Sequence, residues 1–370
     1  MISSSNLFPR ALLLIGMAAL PFVGFALPEQ EAPSAVYTLN NAVSGNRVLT
    51  FSRDDRGTLR LDGTYPTGGK GTGASLGDQG ALALTEDGHW LLAVNAGSNE
   101  LSVFSIHHDA LVLTDIVPSG GMNPISVTIA DNLVYVLNAG GAVGATDNIS
   151  GFYLTKQGLL VAVPESTQPL SAANVTPAQV SFGLGGDVLI VTEKKTNRVD
   201  TFVVAEDGRA GPVISTPSSG ATPFGFAVSS RGFVFVSEAV SSALSSYRLH
   251  ADGSLQLVTP SLSNLQKAAC WAVLSHNQKY AYTANAASNT ISGYKVQSNG
   301  SVTLLDSTGF TAQTDDHPLD LATTGNGRFV YSLNTNSKTI VGFRMSEDGR
   351  LIRVSDIGGL PTGGSGLVAR

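Results

Sequence analysis

The chain has very little cysteine and little charge for a soluble domain. Its 370 residues include one cysteine, Cys270, which excludes an internal disulfide framework. Charged residues make up 14% of the chain, below the roughly 25% of typical soluble domains, and the net charge is −6. No stripe of basic residues is present, so we do not expect nucleic acid as a partner.

The sequence also lacks any run of eighteen apolar residues, so we do not expect stable membrane insertion. The N-terminus instead has the pattern of a secretory signal, with Arg10 as its only charge, an apolar stretch from Ala11 to Phe25, and small residues at the cleavage position. The alternative, a membrane anchor, is disfavoured because the apolar run is short. We therefore predict a signal peptide at 1–26 and one domain at 27–370, secreted to the extracellular space or the periplasm.

The most informative feature of the sequence is a repeat. Seven short apolar runs end in Asn or Glu, and successive end residues lie 43–55 positions apart. A period of about 40–50 residues, built only from strand patterns, is typical of a β-propeller with one four-stranded antiparallel sheet in each repeat. The sequence therefore predicts an all-β, seven-bladed β-propeller, and we expect it to be a monomer. The run-ending residues are Asn40, Asn95, Asn138, Glu193, Glu238, Asn285 and Asn334.

Blade six shows the predicted pattern most completely. We expect an inner strand A at Cys270–Leu274, followed by strands B, C and D at Tyr280–Ala284, Thr290–Val296 and Val302–Leu305. The first repeat has no inner strand of its own, whereas the C-terminal Gly363–Ala369 has the pattern of one. The last strand is therefore predicted to pair in blade one and to close the ring, which removes exposed sheet edges.

The predicted topology sorts the polar residues between two faces. Loops that lead into strand A and loops that join B to C lie around one end of the central channel. Of the six histidines, only His317 falls there, so a three-histidine metal site is not expected. His317 with Asp320 is a candidate acid–base pair and Glu238 a second candidate base, although a structural His–Asp contact is the alternative. Candidate substrate-binding residues on the same face are Lys70, Gln79, Asn123, Gln179, Glu193 and Trp271.

Two other patterns favour structure over chemistry. Asn residues at strand corners commonly cap turns with their side chains, so the ring of run-ending residues is interpreted as structural, with Glu193 and Glu238 as candidate exceptions. The run Gly71–Gly77 lacks the spacing of a nucleotide-binding loop and is interpreted as a flexible lead-in to strand A of blade two. No metal or other cofactor is predicted, while a divalent ion in the channel, held by backbone carbonyls or by these two glutamates, would leave no motif.

The stretches Leu91–Phe104 and Ala281–Tyr294 resemble the seven-bladed lactonase-type propellers, a family that includes 6-phosphogluconolactonases and carboxymuconate cyclases. The resemblance covers about Val36 to Arg370. Segments such as Gln168–Gln179 resemble a secreted branch of that family. The resemblance implies hydrolysis or cycloisomerisation of a lactone, with a small lactone or related acid as ligand.

The chain departs from the family where polar residues would hold an anionic substrate. Members tend to carry Pro-His in blade four and Pro-Arg-His in blade five, where this chain has Pro177-Ala178 and Pro223-Phe224-Gly225. In blade six, Trp271 and Val273 replace an acid and a histidine. We therefore expect an uncharged or aromatic-derived lactone, with Lys70 or Gln179 holding its carbonyl oxygen and Trp271 as a stacking wall. The alternative function is a non-catalytic extracellular propeller that recognises glycans or surface partners.

Overall fold

The computed structural model describes Met1 and residues 34–107, 110–141 and 146–370. Apart from Met1, the predicted signal peptide lies outside these residues. The described residues form β-strands and loops, with a single 3-10 turn at Leu184–Gly186. No helix in these residues has the length and apolar character needed to cross a membrane.

The strands form seven antiparallel sheets, and they are numbered in chain order. Blade one contains β1 (Ala35–Leu39), β2 (Arg47–Arg53) and β3 (Leu59–Pro66) together with the C-terminal strand. Blade two contains β4 (Leu82–Leu84), β5 (Trp90–Asn95), β6 (Glu100–Ile106) and β7 (Leu111–Pro118). Blade three contains β8 (Pro124–Ala130), β9 (Leu133–Asn138), β10 (Asn148–Leu154) and a broken outer strand, β11 (Leu160–Ala162) with β12 (Gln168–Pro169).

The remaining blades follow the same order from the channel outward. Blade four contains β13 (Pro177–Gly183), β14 (Val188–Glu193), β15 (Arg198–Val203) and β16 (Ile214–Pro217). Blade five contains β17 (Pro223–Val228), β18 (Phe233–Glu238), β19 (Ala243–Leu249) and β20 (Leu255–Ser263). Blade six contains β21 (Ala269–Leu274), β22 (Tyr280–Asn285), β23 (Thr290–Val296) and the broken pair β24 (Val302–Leu304) and β25 (Ala312–Gln313). Blade seven contains β26 (Pro318–Thr323), β27 (Phe329–Asn334), β28 (Thr339–Met345) and β29 (Leu351–Ile357).

The C-terminal strand, β30 (Ser365–Ala369), completes blade one as its innermost strand. Val36 pairs with Ala369, and Thr38 pairs with Leu367. The Thr38 hydroxyl also donates to the Gly366 carbonyl at 2.6 Å. The predicted seven-bladed fold and its closure in blade one are therefore confirmed.

The B strands are almost entirely buried because adjacent blades cover both of their faces. Three of them carry a tyrosine that reaches the C–D turn of the following blade. The hydroxyls of Tyr135, Tyr282 and Tyr331 each donate at 2.8 Å to a turn glycine carbonyl, of Gly208, Gly349 and Gly57 respectively. These contacts join neighbouring blades and satisfy hydroxyl groups that burial would otherwise leave unpaired.

Candidate functional site

The inner strands of blades three to seven begin in the same way. The residue before each strand has a left-handed backbone: Asn123, Thr176, Thr222, Ala268 and His317 all have φ between 54° and 62°. The pairing register then shifts within the next few residues, which forms a bulge at the channel end of each strand.

The bulged residues of blades four to seven give this end of the channel an apolar lining. Ala178, Phe224, Cys270 and Leu319 belong to one buried cluster. Trp271 packs there too, with its ring centroid 5.0 Å from that of Phe224. We call this group of five side chains the apolar mouth.

A segment of the chain before β4 crosses the channel beneath the apolar mouth. Asp78 and Gln79, here called the crossing segment, bond to four different blades. The Gln79 N–H donates to the Ala178 carbonyl at 3.0 Å, and the Ser126 hydroxyl donates to the Gln79 carbonyl at 2.7 Å. The Trp271 indole N–H donates to the Asp78 carbonyl at 2.7 Å. The crossing segment, which directly follows the predicted lead-in Gly71–Gly77, thus connects blades three, four and six, and through Ser365 it also reaches blade one.

The Gln79 side chain completes the crossing segment. Its amide nitrogen donates to the Ala272 carbonyl at 2.9 Å, and its amide oxygen accepts from the Ala272 N–H at 3.0 Å. Gln179 makes the same pair of contacts with Phe226 of the next blade, at 3.1 and 2.7 Å. Both predicted substrate-binding glutamines therefore use their amides to join inner strands, and their role in ligand binding stays a prediction.

Three ionisable side chains converge on the crossing segment. The Asp78 carboxyl is buried; one oxygen accepts from the Ser365 hydroxyl at 3.0 Å, and the other has no hydrogen-bond partner among the described residues. Burial raises the pKa of Asp78 to about 7, although Ser365 and Lys194 favour its charged form. Asp320 is also buried, and burial followed by the Asp78 charge raises its pKa well above the ordinary value.

Lys194 lies beside Asp78 at the B–C corner of blade four. Its Nζ donates to the Gly77 carbonyl and lies 4.7 Å from the centroid of the Phe224 ring. Burial lowers the pKa of this amine, while the nearby Asp78 charge opposes the shift. The site therefore combines an amine donor, an aromatic wall and a carboxyl group with one free oxygen.

His317 does not contact Asp320 through a hydrogen bond in the described part of the chain. The backbone N–H of His317 donates to the Asn289 side chain at 3.0 Å, and the equivalent N–H groups of Asn123 and Thr222 donate to asparagine side chains at other corners. Asp320 Oδ1 accepts from the N–H of the residue that follows it, at 2.8 Å. The proposed acid–base pairing of these two residues stays a prediction.

Glu193 and Glu238 are fully buried within their own blades. Glu193 accepts from the Ser171 N–H at 3.0 Å and from its hydroxyl at 2.6 Å. Glu238 accepts from the Gly220 N–H at 2.8 Å and from the Ser261 hydroxyl. These contacts join the two glutamates to the loops above strands B and C, and the roles predicted for Glu193 and Glu238 in the site stay predictions.

The two remaining candidates lie at the loops of blades one to three. Lys70 is exposed, and its backbone N–H donates to the Ser98 hydroxyl oxygen at 2.9 Å. Asn123 is the left-handed residue before β8, and its N–H donates to the Asn99 side chain at 2.7 Å. Asp78 was missed by the sequence analysis because a lone acid after a glycine-rich run has no motif. Its one signal was its place shortly before the inner strand that begins at Leu82.

Comparison with known proteins identifies relatives by family and by fold. The profile of the family "Lactonase, 7-bladed beta-propeller" matches residues 35–142 and 261–362. No curated protein sequence matches the chain. A candidate 6-phosphogluconolactonase from Bacteroides uniformis has a similar structure, with a TM-score of 0.73 and 20% identity over 90% of this chain and 99% of that one. The periplasmic gluconolactonase of Pseudomonas aeruginosa is similar with a TM-score of 0.69 and 15% identity over 90% of this chain and 99% of that one.

Proposed function

Because the chain belongs to the seven-bladed β-propeller lactonase family, we propose that it hydrolyses a lactone at the apolar mouth, with Asp78 as general base. The carrying observation is the Asp78 carboxyl, which has one buried oxygen free of hydrogen bonds and a pKa of about 7. A general base works best when its pKa lies near the working pH. The proposal includes export, which the N-terminal pattern supports.

The family resemblance indicates why the base is at a new position. Three places where this chain departs from the family's polar residues all contact the crossing segment. The Ala178 carbonyl accepts from the Gln79 N–H, and the Trp271 indole N–H donates to the Asp78 carbonyl. A Cβ added to Gly225 would lie 2.0 Å from Gln79 Oε1. A histidine could not replace Gly225 while Gln79 crosses the channel. The loss of the family's residues thus makes room for a segment that brings its own carboxyl group.

In the proposed reaction, Asp78 takes a proton from a water molecule as the water oxygen attacks the lactone carbonyl carbon. The ring C–O bond then breaks, and the departing alkoxide receives the proton, so that the product is a hydroxy acid. The apolar mouth would hold the carbon skeleton of the substrate. Since the mouth has few charged groups, an uncharged or aromatic lactone fits it better than a phosphorylated sugar lactone.

Asp78→Asn tests this proposal against a panel of uncharged and aromatic lactones. We expect kcat/KM to fall by roughly 100-fold or more, because proton transfer by a positioned base contributes about 10²–10⁴. The wild-type rate should rise as the pH passes through about 7, where Asp78 loses its proton, and this rise should vanish in the variant. Asp200→Asn, which alters another buried acid, is the matched control.

Unchanged turnover by Asp78→Asn would contradict the proposal. His317→Ala, Asp320→Asn and Glu238→Ala, tested in the same assay, decide whether the residues predicted from sequence act instead. Hydrolysis in labelled water should place one solvent oxygen in the product carboxylate. A cycloisomerase, the alternative reaction, would give no such label.

A binding protein remains the second candidate because the same face carries exposed apolar side chains. Val240 is 73% exposed and Leu265 is 65% exposed, both on loops around the channel mouth. Exposed apolar residues on one face are typical of an interaction surface. A glycan or surface partner whose binding is lost in Val240→Ser with Leu265→Ser, but not in Asp78→Asn, would favour this function.

A further inference from the structure

Three residues cover the apolar mouth from the side of blade two. Ser75, Leu76 and Gly77, here called the strap, connect a loop held by Asn41 to the crossing segment. Asn41 fixes the near end, because its carbonyl accepts from the Gly73 N–H at 2.7 Å and its Nδ2 donates to the Ala74 carbonyl at 2.7 Å. Asp78 and Gln79 fix the far end. The strap is thus anchored at both ends.

Between these anchors, the strap makes few hydrogen bonds. Within the described residues, its one hydrogen bond to another blade comes from Lys194 Nζ, which donates to the Gly77 carbonyl. The Gly77 N–H bonds only to the Ser75 hydroxyl within the strap, at 3.2 Å. Leu76 is half-buried and packs against the cores of the adjoining blades. The Lys194 side chain therefore supplies the one hydrogen bond that holds the strap to another blade, beside the packing of Leu76.

The Lys194 amine is placed where it could donate a hydrogen bond to an oxygen atom of a ligand. It faces the Phe224 ring at 4.7 Å, and that ring packs against Trp271. A donor beside two aromatic rings can hold one acceptor oxygen of a flat molecule while the rings bury its carbon skeleton. In the closed structure, the Gly77 carbonyl fills the acceptor position.

We propose that the Gly77 carbonyl stands in for a ligand oxygen, and that Lys194, Phe224 and Trp271 form a subsite for an aromatic molecule with one acceptor oxygen. The acceptor is the carbonyl of a lactone or the carboxylate of its hydrolysed acid. Ligand binding exchanges the Gly77 oxygen for the ligand oxygen and frees the strap. The identity of the ligand as a lactone rests on the proposed function.

The exchange explains which ligands should bind well. Replacing one acceptor by another changes the hydrogen-bond free energy little, so the affinity must come from the apolar surface that the ligand buries. A carboxylate adds a charge-assisted bond when Lys194 is protonated. Small polar lactones should therefore bind weakly, and aromatic ones should bind well.

Fluorescence of Trp271 offers a direct measurement, because the chain has only two tryptophans and Trp90→Phe removes the other. In this background we would titrate dihydrocoumarin, its hydrolysed acid, and tetralin, which has the skeleton without the oxygen atoms. Since the neutral lactone only exchanges one acceptor for another, we expect Lys194→Met to change binding of dihydrocoumarin and tetralin little. The same variant should weaken binding of the hydrolysed acid by roughly tenfold or more, because the charge-assisted bond is lost. Lys194→Arg keeps a donor and should retain most of the binding.

Hydrogen exchange of the strap amides supplies an independent readout. Either oxygen-bearing probe should speed exchange at residues 75–77 in the wild type, and Lys194→Met should speed it without any probe. Binding of the hydrolysed acid that is as tight in Lys194→Met as in the wild type, or strap exchange that no probe alters, would overturn the subsite. Binding and strap release in a wild type that never turns over a lactone, or in an Asp78→Asn variant whose turnover is unchanged, would refute only the catalytic proposal.

Discussion

Blade four carries two acids at positions where other blades carry an amide and a hydroxyl. In blade two, Asn95 Nδ2 donates to the Ser102 hydroxyl at 2.7 Å, and blade six repeats this contact at 2.9 Å with the same spacing in sequence. In blade four the equivalent residues are Glu193 and Asp200, both buried, and both accept from the same Ser171 N–H. Burial first, and then the neighbouring glutamate, raise the pKa of Asp200 to about 8. The pair therefore holds a proton at neutral pH.

This proton makes stability depend on pH. The folded pKa of Asp200 lies above its ordinary value of 3.8, so the folded state keeps a proton that the unfolded chain releases. The stabilisation is complete below about pH 4 and is lost as the pH rises towards about 8. In the wild type this decrease in the free energy of unfolding amounts to at most about 1.4 kcal/mol per pH unit. We expect Asp200→Asn, whose amide can donate to Glu193, to remove it.

Urea unfolding of the wild type and Asp200→Asn at pH 5 and pH 8 would check this prediction. The variant should match the wild type at pH 5 and exceed it at pH 8. A parallel decline of both proteins between the two pH values would show that the acid pair does not share a proton.

One loop of blade six is held in place by close contact with the chain before its inner strand. The loop between β24 and β25 approaches the chain before β21 so closely that a Cβ on Gly309 would lie 1.6 Å from the Asn264 carbonyl oxygen. Gly309 also has a φ of +70°, which other residues adopt at a cost. Asn264 in turn donates to Asn285, a run-ending residue, at 2.7 Å. The loop thus supports the corner of blade six.

Gly309→Ala should therefore destabilise the protein by about 2–3 kcal/mol, through backbone strain and the collision with Asn264. Gly325→Ala is the control, because no atom lies within 4 Å of its added Cβ and its φ is not left-handed. Thermal melting of both variants measures the difference. Equal melting temperatures would mean that the loop can move to accommodate the added Cβ without a loss of stability.

The elements show why sequence predicted the strands better than the site. Strand patterns and turn residues repeat in each blade. In blade six, the observed strands A, B and C therefore begin and end within one residue of the predicted bounds. The crossing segment occurs once. Its contacts, such as that of Gln79 with Ala272, join residues 193 positions apart, and no local pattern encodes such a pairing. His317 and Glu238 were chosen by face and residue type, which do not determine side-chain contacts.

At the scale of the whole molecule, one strand joins the two ends of the described propeller. Leu367 is buried in the cluster shared by blades one and seven. Deleting residues 367–370 removes that side chain and part of the ladder with β1. We expect a loss of at least about 4 kcal/mol, from about 2 for the leucine and about 1 for each lost hydrogen bond.

Chemical unfolding of the deleted chain would measure this loss, and an added peptide of residues 361–370 serves as its control. The peptide should restore stability in a concentration-dependent way, because binding to the folded state alone stabilises it. A deleted chain that unfolds at the wild-type midpoint would show that closure contributes nothing.

The same closure has a consequence for synthesis of the protein. A nascent chain can form the first three strands of blade one early, but their innermost partner is made only when residues 365–369 emerge. Until then β1 presents an open edge, which can pair with the edge of another chain. Trimming or premature termination of the last few residues would therefore convert a closed ring into an open, aggregation-prone one, even though every predicted site residue is intact.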